Sequence, residues 1–377
     1  MPPDKPEHIP ALDGLRGIAI LMVLVWHYAA FTQPFFPGWA GVDLFFVLSG
    51  YLITLKLTAA KGQPHYFSRF YRNRALRILP LYYILVVGFL LAIHFFVREK
   101  NLPTLDIYIQ HWKSFFIFTQ NWTFIFFGFP QDLSLAPLWS LAVEEQFYLL
   151  WPLIILLLPG SALRLKIFPF LLLLVLVART FFYLSDPPSG GSVYYNTFFR
   201  MDSFLAGALL FQLHDARINI PRRWVIWTIS VLLTIGVLCC LLINNVIPYN
   251  PFFGTAGYTL LAVFFACLLH LAIQPGNHVL STFLSGKFLR FCGRISYCFY
   301  LIHVPIMMIV QARLSILGTR LWPGHALFLQ WTSLILSLAL SFAISYVSGR
   351  YFESWLLRLK AGQTGPPVKT HAPTAQN

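Results

Sequence analysis

The sequence predicts an all-α membrane protein, a polytopic bundle of about ten transmembrane helices. Of its 377 residues, 58% are hydrophobic and only 11% carry a charge, whereas a soluble domain has about 25% charged residues. The apolar residues also form repeated runs close to the roughly 20 residues that a helix needs to cross a bilayer. This composition excludes intrinsic disorder, and it leaves too little charge to solvate the surface of a soluble enzyme.

The predicted spans follow from the apolar runs in chain order. Residues 78–97 contain no Asp, Glu, Lys or Arg and form the clearest span. Residues 224–286 also lack these four residue types but are too long for one helix, and the Asn- and Pro-containing stretch 244–251 indicates a hairpin between two spans. The ten predicted spans are residues 11–31, 43–57, 78–97, 143–159, 167–184, 198–213, 224–244, 253–273, 291–312 and 326–348.

Two further segments are predicted not to span. Residues 114–129 are apolar but interrupted by polar side chains, which favours a re-entrant or interfacial segment. Residues 361–377 are rich in Pro, Thr, Gln and Gly and predict a disordered cytoplasmic tail. The membrane-embedded domain is therefore expected to occupy residues 1–360.

The distribution of positive charge predicts the orientation. The chain has 27 Lys and Arg against 13 Asp and Glu. With the N-terminus in the cytoplasm, 20 of the 27 basic residues fall on the cytoplasmic side and seven on the other. Cytoplasmic loops accumulate Lys and Arg, so both termini are predicted to be cytoplasmic. This rule accounts for the basic charge without a nucleic-acid partner, and no zinc-type spacing predicts a metal.

Polar residues inside spans are costly unless they face a cavity or a partner. Arg16 and His27 lie in the first span, eleven residues apart, which corresponds to about three helical turns and a rise of about 16 Å on one face. They predict a polar path along this helix. The alternative is that Arg16 extends to lipid phosphates and His27 is an interfacial residue.

Three carboxylates are predicted at a depth similar to that of His27, near the outer leaflet. Asp43 begins the second span, and Glu144 and Glu145 lie in the fourth. A carboxylate bonded to one imidazole nitrogen fixes the tautomer and raises the basicity of the other nitrogen. His27 with Asp43, Glu144 and Glu145 therefore forms the predicted catalytic group.

A basic collar is predicted on the cytoplasmic side. Arg74 and Arg77 are three apart at the start of a helix and share a face, and Arg16, Arg69 and Arg72 join them. Guanidinium groups suit bidentate phosphate binding, so the collar predicts an anion site. The alternative is a set of anchors to lipid headgroups.

A polar stripe occurs on a late apolar helix. Ser296, Tyr300 and His303 recur at spacings of four and three, which places them on one face. They are predicted to line a cavity, with interhelical hydrogen bonding as the alternative. Further residues predicted to line it are Asp13, Tyr148, Arg200 and Tyr297.

Six blocks of the chain resemble, in order, the membrane acyltransferase-3 family. The blocks are IPALDGLRGIAILMVLVWH, GVDLFFVLSGYLIT, RNRALRILPLYY, LWSLAVEEQFYLLWP, FRMDSFLAGALL and GRISYCFYLIHVPI. The resemblance covers about residues 9–350. It implies the ten-span form of the family, without the SGNH hydrolase-like domain that longer members carry.

The resemblance also implies an activity. Members of the family transfer acetyl or other short acyl groups from cytoplasmic acyl-coenzyme A to hydroxyls of glycans, antibiotics and similar acceptors. Arg16 and His27 match the family's Arg-x10-His motif, and Arg74 and Arg77 match its Arg-x-x-Arg motif. Glu144 and Glu145 occupy its Val-Glu-Glu-Gln-Phe-Tyr block.

The sequence therefore predicts an O-acyltransferase of the bacterial inner membrane. Acetyl-coenzyme A is the expected co-substrate, held by Arg16, Arg74 and Arg77, and an envelope glycan is the expected acceptor. His27 is expected to act as general base or transient acyl carrier, oriented by Asp43 or Glu144. The alternative is a transporter or flippase of a lipid-linked substrate that performs no chemistry, since intramembrane charges suit it equally.

Overall fold

A computed structural model of the chain describes residues 9–28, 36–96, 102–185, 191–243, 247–274, 278–321 and 325–361. These residues form helices and short connections and contain no β-strand. The all-α class predicted from the apolar runs is confirmed. Apart from Ala361, which is helical, the predicted disordered tail of residues 361–377 lies outside the described residues.

Within the described ranges, nine helical segments are long and apolar enough to cross a membrane. They are Pro10–Tyr28, Gly38–Ala59, Tyr66–Phe95, Leu138–Leu157, Ser161–Ser185, Arg222–Cys239, Phe253–Ile273, Lys287–Leu317 and Leu327–Leu356. This architecture makes the chain a multi-pass membrane protein.

The helices that carry or adjoin these spans are numbered in chain order with the shorter ones. They are α1 (Pro10–Tyr28), α2 (Gly41–Ala59), α3 (Tyr66–Phe96), α4 (Asp106–Gln110), α5 (Trp112–Phe116), α6 (Gln120–Phe127), α7 (Leu138–Leu157), α8 (Ser161–Ser185), α9 (Gly191–Tyr194), α10 (Met201–Asp215), α11 (Arg222–Ile243), α12 (Tyr258–Ile273), α13 (His278–Leu284), α14 (Lys287–Leu321), α15 (Ala326–Val347) and α16 (Ser354–Ala361).

The predicted span 198–213 corresponds to α10, which is only 15 residues long. That length is less than a helix needs to cross the hydrocarbon core by itself. The helix is buried along most of its length, with Ser203, Phe204 and Ala208 fully inside the protein. It packs chiefly against α2, where Gly50 and Gly207 let the two backbones meet.

The pairing of α1 with α14 sets the geometry of the protein's centre. A Cβ added to Gly293 would lie 1.9 Å from the carbonyl oxygen of Asp13, and one added to Gly17 would lie 2.1 Å from that of Leu289. Glycine is needed at both positions because any side chain would force the helices apart. The close approach brings the polar residues of α1 beside those of α14.

Residues 114–129 contain the end of α5 and the whole of α6, two short helices instead of a span. Tyrosines of α3 hold this segment, because Tyr82 donates to the carbonyl of Phe115 at 2.7 Å and Tyr83 to that of Phe116 at 2.9 Å. The absence of a full span at these described residues agrees with the sequence. Their depth in a bilayer stays a prediction.

Helices α8, α11 and α15 form the periphery. Their outward faces expose large apolar side chains, among them Phe170, Leu173, Leu241, Leu242, Phe328 and Trp331. Such faces suit contact with lipid. The polar residues are accordingly concentrated between the central helices.

Candidate active site

A small cavity lies between α1, α2, α3, α7 and α14, and we call it the arginine cavity. It encloses about 90 Å³. Its cationic residues are Arg16, Arg74 and Arg77, and the other polar residues that line it are Ser49, Ser140, Glu144, Tyr148, Ser296, Tyr297 and Tyr300. The three arginines come from two helices, α1 and α3, which the bundle brings together.

Glu144 is the carboxylate of this cavity. Ser49 donates to its Oε1 at 2.5 Å, and the Tyr148 hydroxyl donates to the same oxygen. The guanidinium of Arg74 lies over the Tyr148 ring, 4.8 Å from its centroid. Among the described lining residues, three guanidinium groups against one carboxylate leave net positive charge, which attracts anions.

A second cavity lies beside the first, and we call it the aromatic cavity. It encloses about 310 Å³. It is lined by His27 together with aromatic side chains, namely Trp26, Trp39, Phe129, Trp139, Tyr194, Tyr195, Tyr249 and Tyr300. The Tyr195 and Tyr249 hydroxyls lie 2.6 Å apart. His27 is thus the basic side chain of a mainly apolar chamber.

Tyr300 and Val42 line both cavities. The Tyr300 hydroxyl lies 2.6 Å from the Ser140 hydroxyl and donates to the Pro137 carbonyl at 3.0 Å. These bonds hold the ring between the arginine cavity and the aromatic cavity. The two chambers therefore share a wall made of one tyrosine and one valine.

The partner of His27 is His303 of α14. Nδ1 of His303 lies 2.8 Å from the carbonyl oxygen of Tyr300, and a carbonyl can only accept, so Nδ1 carries hydrogen and Nε2 of the neutral ring has the lone pair. Nδ1 of His27 lies 2.9 Å from the Val23 carbonyl and 3.3 Å from Nε2 of His303. Both neighbours are acceptors. The network therefore assigns hydrogen to Nδ1 of His27 and a lone pair to its Nε2.

The predicted contact between His27 and a carboxylate is not formed among the described residues. Asp43 instead pairs with Arg200, with 2.6 Å between Oδ1 and Nη2, and both side chains are fully buried. Ser203 donates to the same carboxylate oxygen at 3.0 Å. In this structure Asp43 therefore neutralises Arg200 and does not contact His27, because leaving the buried Arg200 charge without its partner would be strongly destabilising.

Arg200 also lies over two aromatic rings, one of which borders the aromatic cavity. Its guanidinium is 4.1 Å from the centroid of the Tyr258 ring and 5.1 Å from that of the Tyr194 ring, and Tyr194 lines the cavity. Such cation–π contacts are strongest where the cation is desolvated. The Asp43–Arg200 pair therefore supports the aromatic wall from behind.

A second buried ion pair accompanies it. Arg179 of α8 lies 2.6 Å from a carboxylate oxygen of Asp202, and Thr259 bonds to both side chains. Both charged side chains are fully buried. These contacts tie the peripheral helix α8 to α10 and α12.

The remaining predicted residues lie around the two cavities. Glu144 lines the arginine cavity and not the chamber of His27, while Glu145 lines neither, and its buried Oε1 has no hydrogen-bond partner in the described part of the chain. Asp13 lies 3.8 Å from the Arg16 guanidinium. Asp13, Arg200 and His303, which were predicted to line the cavity, are not among the residues that line either of these two cavities.

Sequence reasoning did not single out Ser49 or Ser140. Both are hydroxyl residues within quoted apolar blocks, and each bonds to a predicted site residue, Glu144 or Tyr300. In the sequence, the feature that could have indicated these two residues is an isolated hydroxyl side chain within an apolar span. Over the described residues no group of three or more His, Cys, Asp and Glu could hold a metal ion.

Two adjoining internal chambers, one lined by arginines and one by aromatic rings, form the candidate substrate site. The chain belongs to the acyltransferase-3 family, since that family's profile, described as an acyltransferase domain, matches residues 9–350. The family predicted from the six blocks is confirmed.

Three relatives illustrate the similarity. The peptidoglycan O-acetyltransferase OatA of Listeria monocytogenes is 34% identical over 370 residues, which cover 92% of this chain and 56% of the relative. The putative peptidoglycan O-acetyltransferase YrhL of Bacillus subtilis is 32% identical, over 80% of this chain and 49% of the relative. The O-acetyltransferase OatA of Staphylococcus aureus is 28% identical, over 82% and 52%.

The chain spans about half the length of these relatives. No solved structure matches it significantly.

Proposed function

We propose that this protein is an integral membrane O-acyltransferase that moves an acetyl group from cytoplasmic acetyl-coenzyme A to a hydroxyl of an extracytoplasmic envelope glycan. One observation carries the proposal. A cationic cavity and a histidine-bearing aromatic cavity share the wall formed by Tyr300 and Val42. A charged donor and a glycan acceptor can thus be bound separately and react where the chambers adjoin.

The charge of three arginines and the distance from Arg16 to His27 support binding of acetyl-coenzyme A. Arg16, Arg74 and Arg77 supply guanidinium groups that suit phosphate oxygens. Arg16 and His27 are eleven residues apart on α1, a rise of about 16 Å. An extended pantetheine arm has a comparable length, so a donor anchored at the arginines can present its thioester near His27.

The chemical half rests on the hydrogen bonds of His27. In the proposed step, the acceptor hydroxyl oxygen attacks the thioester carbonyl carbon while Nε2 of His27 takes the hydroxyl proton. The carbon–sulfur bond then breaks, and the departing thiolate receives the proton from His27. His303 positions the ring, because its Nε2 accepts from Nδ1 of His27 at 3.3 Å.

The carboxylates take supporting parts in this proposal. Glu144 partly offsets the charge of the three arginines and fixes the Tyr148 ring on which Arg74 rests. Asp43 neutralises Arg200 behind the aromatic wall. We assign no step to Glu145.

The acceptor half rests on the aromatic cavity and the relatives. Trp139, Tyr194 and Tyr195 line the cavity, and flat amphipathic rings of this kind suit the apolar faces of sugars. Two of the relatives are named as peptidoglycan O-acetyltransferases, one of them putative. We therefore propose a peptidoglycan-type sugar hydroxyl as the acceptor.

The test uses the full chain in lipid nanodiscs with acetyl-coenzyme A and soluble peptidoglycan fragments. We expect acceptor-dependent release of free thiol, together with an acetyl ester on the glycan detected by mass spectrometry. His27→Ala should abolish both while insertion persists. His94→Ala is the matched control, since His94 is exposed on α3 and lines neither cavity.

Two results would contradict the proposal. A wild-type protein that moves a glycan lipid but releases no thiol would support the transporter. Full activity in His27→Ala would show that His27 takes no part in the reaction. Acetyl label retained on the protein without acceptor, and lost in His27→Ala, would instead indicate that His27 carries the acyl group.

A further inference from the structure

A third cavity adjoins the arginine cavity and shares Arg74 and Arg77 with it. It encloses about 240 Å³ at the ends of α2 and α3, and we call it the basic vestibule. Its polar and aromatic lining is Lys56, Tyr66, Arg69, Phe70, Asn73, Arg74 and Arg77. Within the described residues that line it, four side chains are cationic and none is a carboxylate.

One face of α3 forms most of the vestibule wall. The α3 residues of the lining, from Tyr66 to Arg77, are separated in turn by three, one, three, one and three positions, which is the spacing of a continuous helical stripe. Lys56 completes the lining from the end of α2. The stripe continues into the arginine cavity, because Arg74 and Arg77 line both chambers.

Charge separates the two chambers. Glu144 offsets part of the positive charge in the arginine cavity, whereas no carboxylate is among the described residues that line the vestibule. Coenzyme A consists of a slender pantetheine arm and a bulky adenosine that carries three phosphates. The more cationic chamber suits the phosphorylated end, and the adjoining arginine cavity suits the arm.

We propose that the basic vestibule binds the phosphorylated adenosine of the acyl donor, with Lys56 and Arg69 as phosphate contacts additional to Arg74 and Arg77. This inference rests on the proposed function, since it assigns a subsite to that donor. Lys56 and Arg69 are exposed, so both can reach a ligand that enters from the surface. Arg74 lies on the shared wall, where the diphosphate would join the arm.

An aromatic ring distinguishes this subsite from a simple anion patch. The Tyr66 hydroxyl donates to the carbonyl of Pro152 at 3.2 Å, and its ring meets Phe67 edge to face with 5.2 Å between centroids. Its ring is therefore held in place at the vestibule wall. A base stacks on such a ring, whereas a phospholipid headgroup has no aromatic base to stack. The lining accordingly favours a nucleotide over a lipid.

The experiment measures dissociation constants of the full chain in phosphatidylcholine nanodiscs. The probes are coenzyme A and adenosine 3′,5′-bisphosphate, which lacks the pantetheine arm. Lys56→Ala and Arg69→Ala should each raise the dissociation constants of both probes about tenfold, as expected for one lost charge-assisted contact. Tyr66→Ala should raise both dissociation constants about fivefold or more. Tyr66→Phe keeps the ring on which the base stacks, so its dissociation constants should stay close to wild type.

The control is Arg223→Ala, which removes an equal charge from an exposed arginine at the start of α11 outside the vestibule. It should leave both dissociation constants unchanged. A kinetic arm compares acetyl-coenzyme A with acetyl-pantetheine. The vestibule variants should raise KM for the first about tenfold and leave KM for the second unchanged.

Failure of the subsite and failure of the function give different results. Unchanged nucleotide binding in Lys56→Ala and Arg69→Ala, with active wild-type protein, would overturn the subsite alone. The same holds if these variants lose only co-purified phosphatidylglycerol, since the vestibule would then bind lipid. Weakened nucleotide binding in an enzyme that releases no thiol would uphold the subsite and refute the proposed reaction.

Discussion

Replacing His303 should slow acyl transfer without weakening the binding of either the donor or the acceptor. His303 is fully buried, and its Nε2 accepts from Nδ1 of His27 at 3.3 Å. In His303→Leu an apolar side chain fills the buried volume of the imidazole, but the hydrogen-bond acceptor for Nδ1 of His27 is lost. The Val23 carbonyl, 2.9 Å from Nδ1, still holds the tautomer, so the loss should be partial.

The magnitude follows from the charge that His27 develops during the reaction. A hydrogen bond between neutral groups contributes about 0.5–1.5 kcal/mol, and one to a charged group about 1.5–3 kcal/mol. The bond between the two histidines therefore strengthens by about 1–1.5 kcal/mol when His27 becomes cationic. Only this difference acts on the transition state, so kcat should fall about fivefold to twelvefold.

The assay is steady-state thiol release by protein in nanodiscs, with KM measured for the donor and the acceptor. Both KM values should stay near wild type, because neither substrate is predicted to touch His303. His303→Gln should recover part of kcat, since its amide oxygen can accept from His27. Wild-type kcat in His303→Leu, or a change confined to donor KM, would refute the positioning role.

Three other predictions test the arginines, the buried pair and the helix contact. Arg77→Ala should raise donor KM about tenfold to a hundredfold with acceptor KM unchanged, whereas a lipid anchor would instead reduce the inserted amount at constant KM. Asp43→Leu should destabilise the protein by about 3–5 kcal/mol by leaving Arg200 buried and unpaired, which thermal unfolding measures. Adding Arg200→Met should restore most of that stability, and no recovery would contradict the pairing. Gly293→Leu should separate α1 from α14 and lower activity and thermal stability together, so a folded, fully active variant would count against the close helix contact.

The multi-pass helical class could be predicted from the sequence because it depends on local properties. The free energy of placing an apolar run in a bilayer depends on its own length and composition. The same local reasoning separated residues 114–129 from the spans. It assigned residues 198–213 to a span, whereas α10 has only 15 helical residues and is mostly buried among its neighbours, a packing that local composition does not specify.

Part of the site was also accessible from local spacing. Arg16 and His27 lie on one helix, so their separation and shared face follow from helical geometry alone. The structure places them in adjoining cavities. The spacing of Arg74 and Arg77 likewise indicated a common face, which here borders two chambers.

Contacts between different helices were decided only by the tertiary structure. Asp43 was assigned to His27 from similar predicted depth, yet it pairs with Arg200 of the chain segment leading into α10. His303 was expected to line a cavity, yet it bonds to His27. Depth along a span does not specify the rotation of each helix or its neighbour. Close backbone contacts, such as the one between Gly293 and Asp13, determine those, and so they determine which polar groups meet.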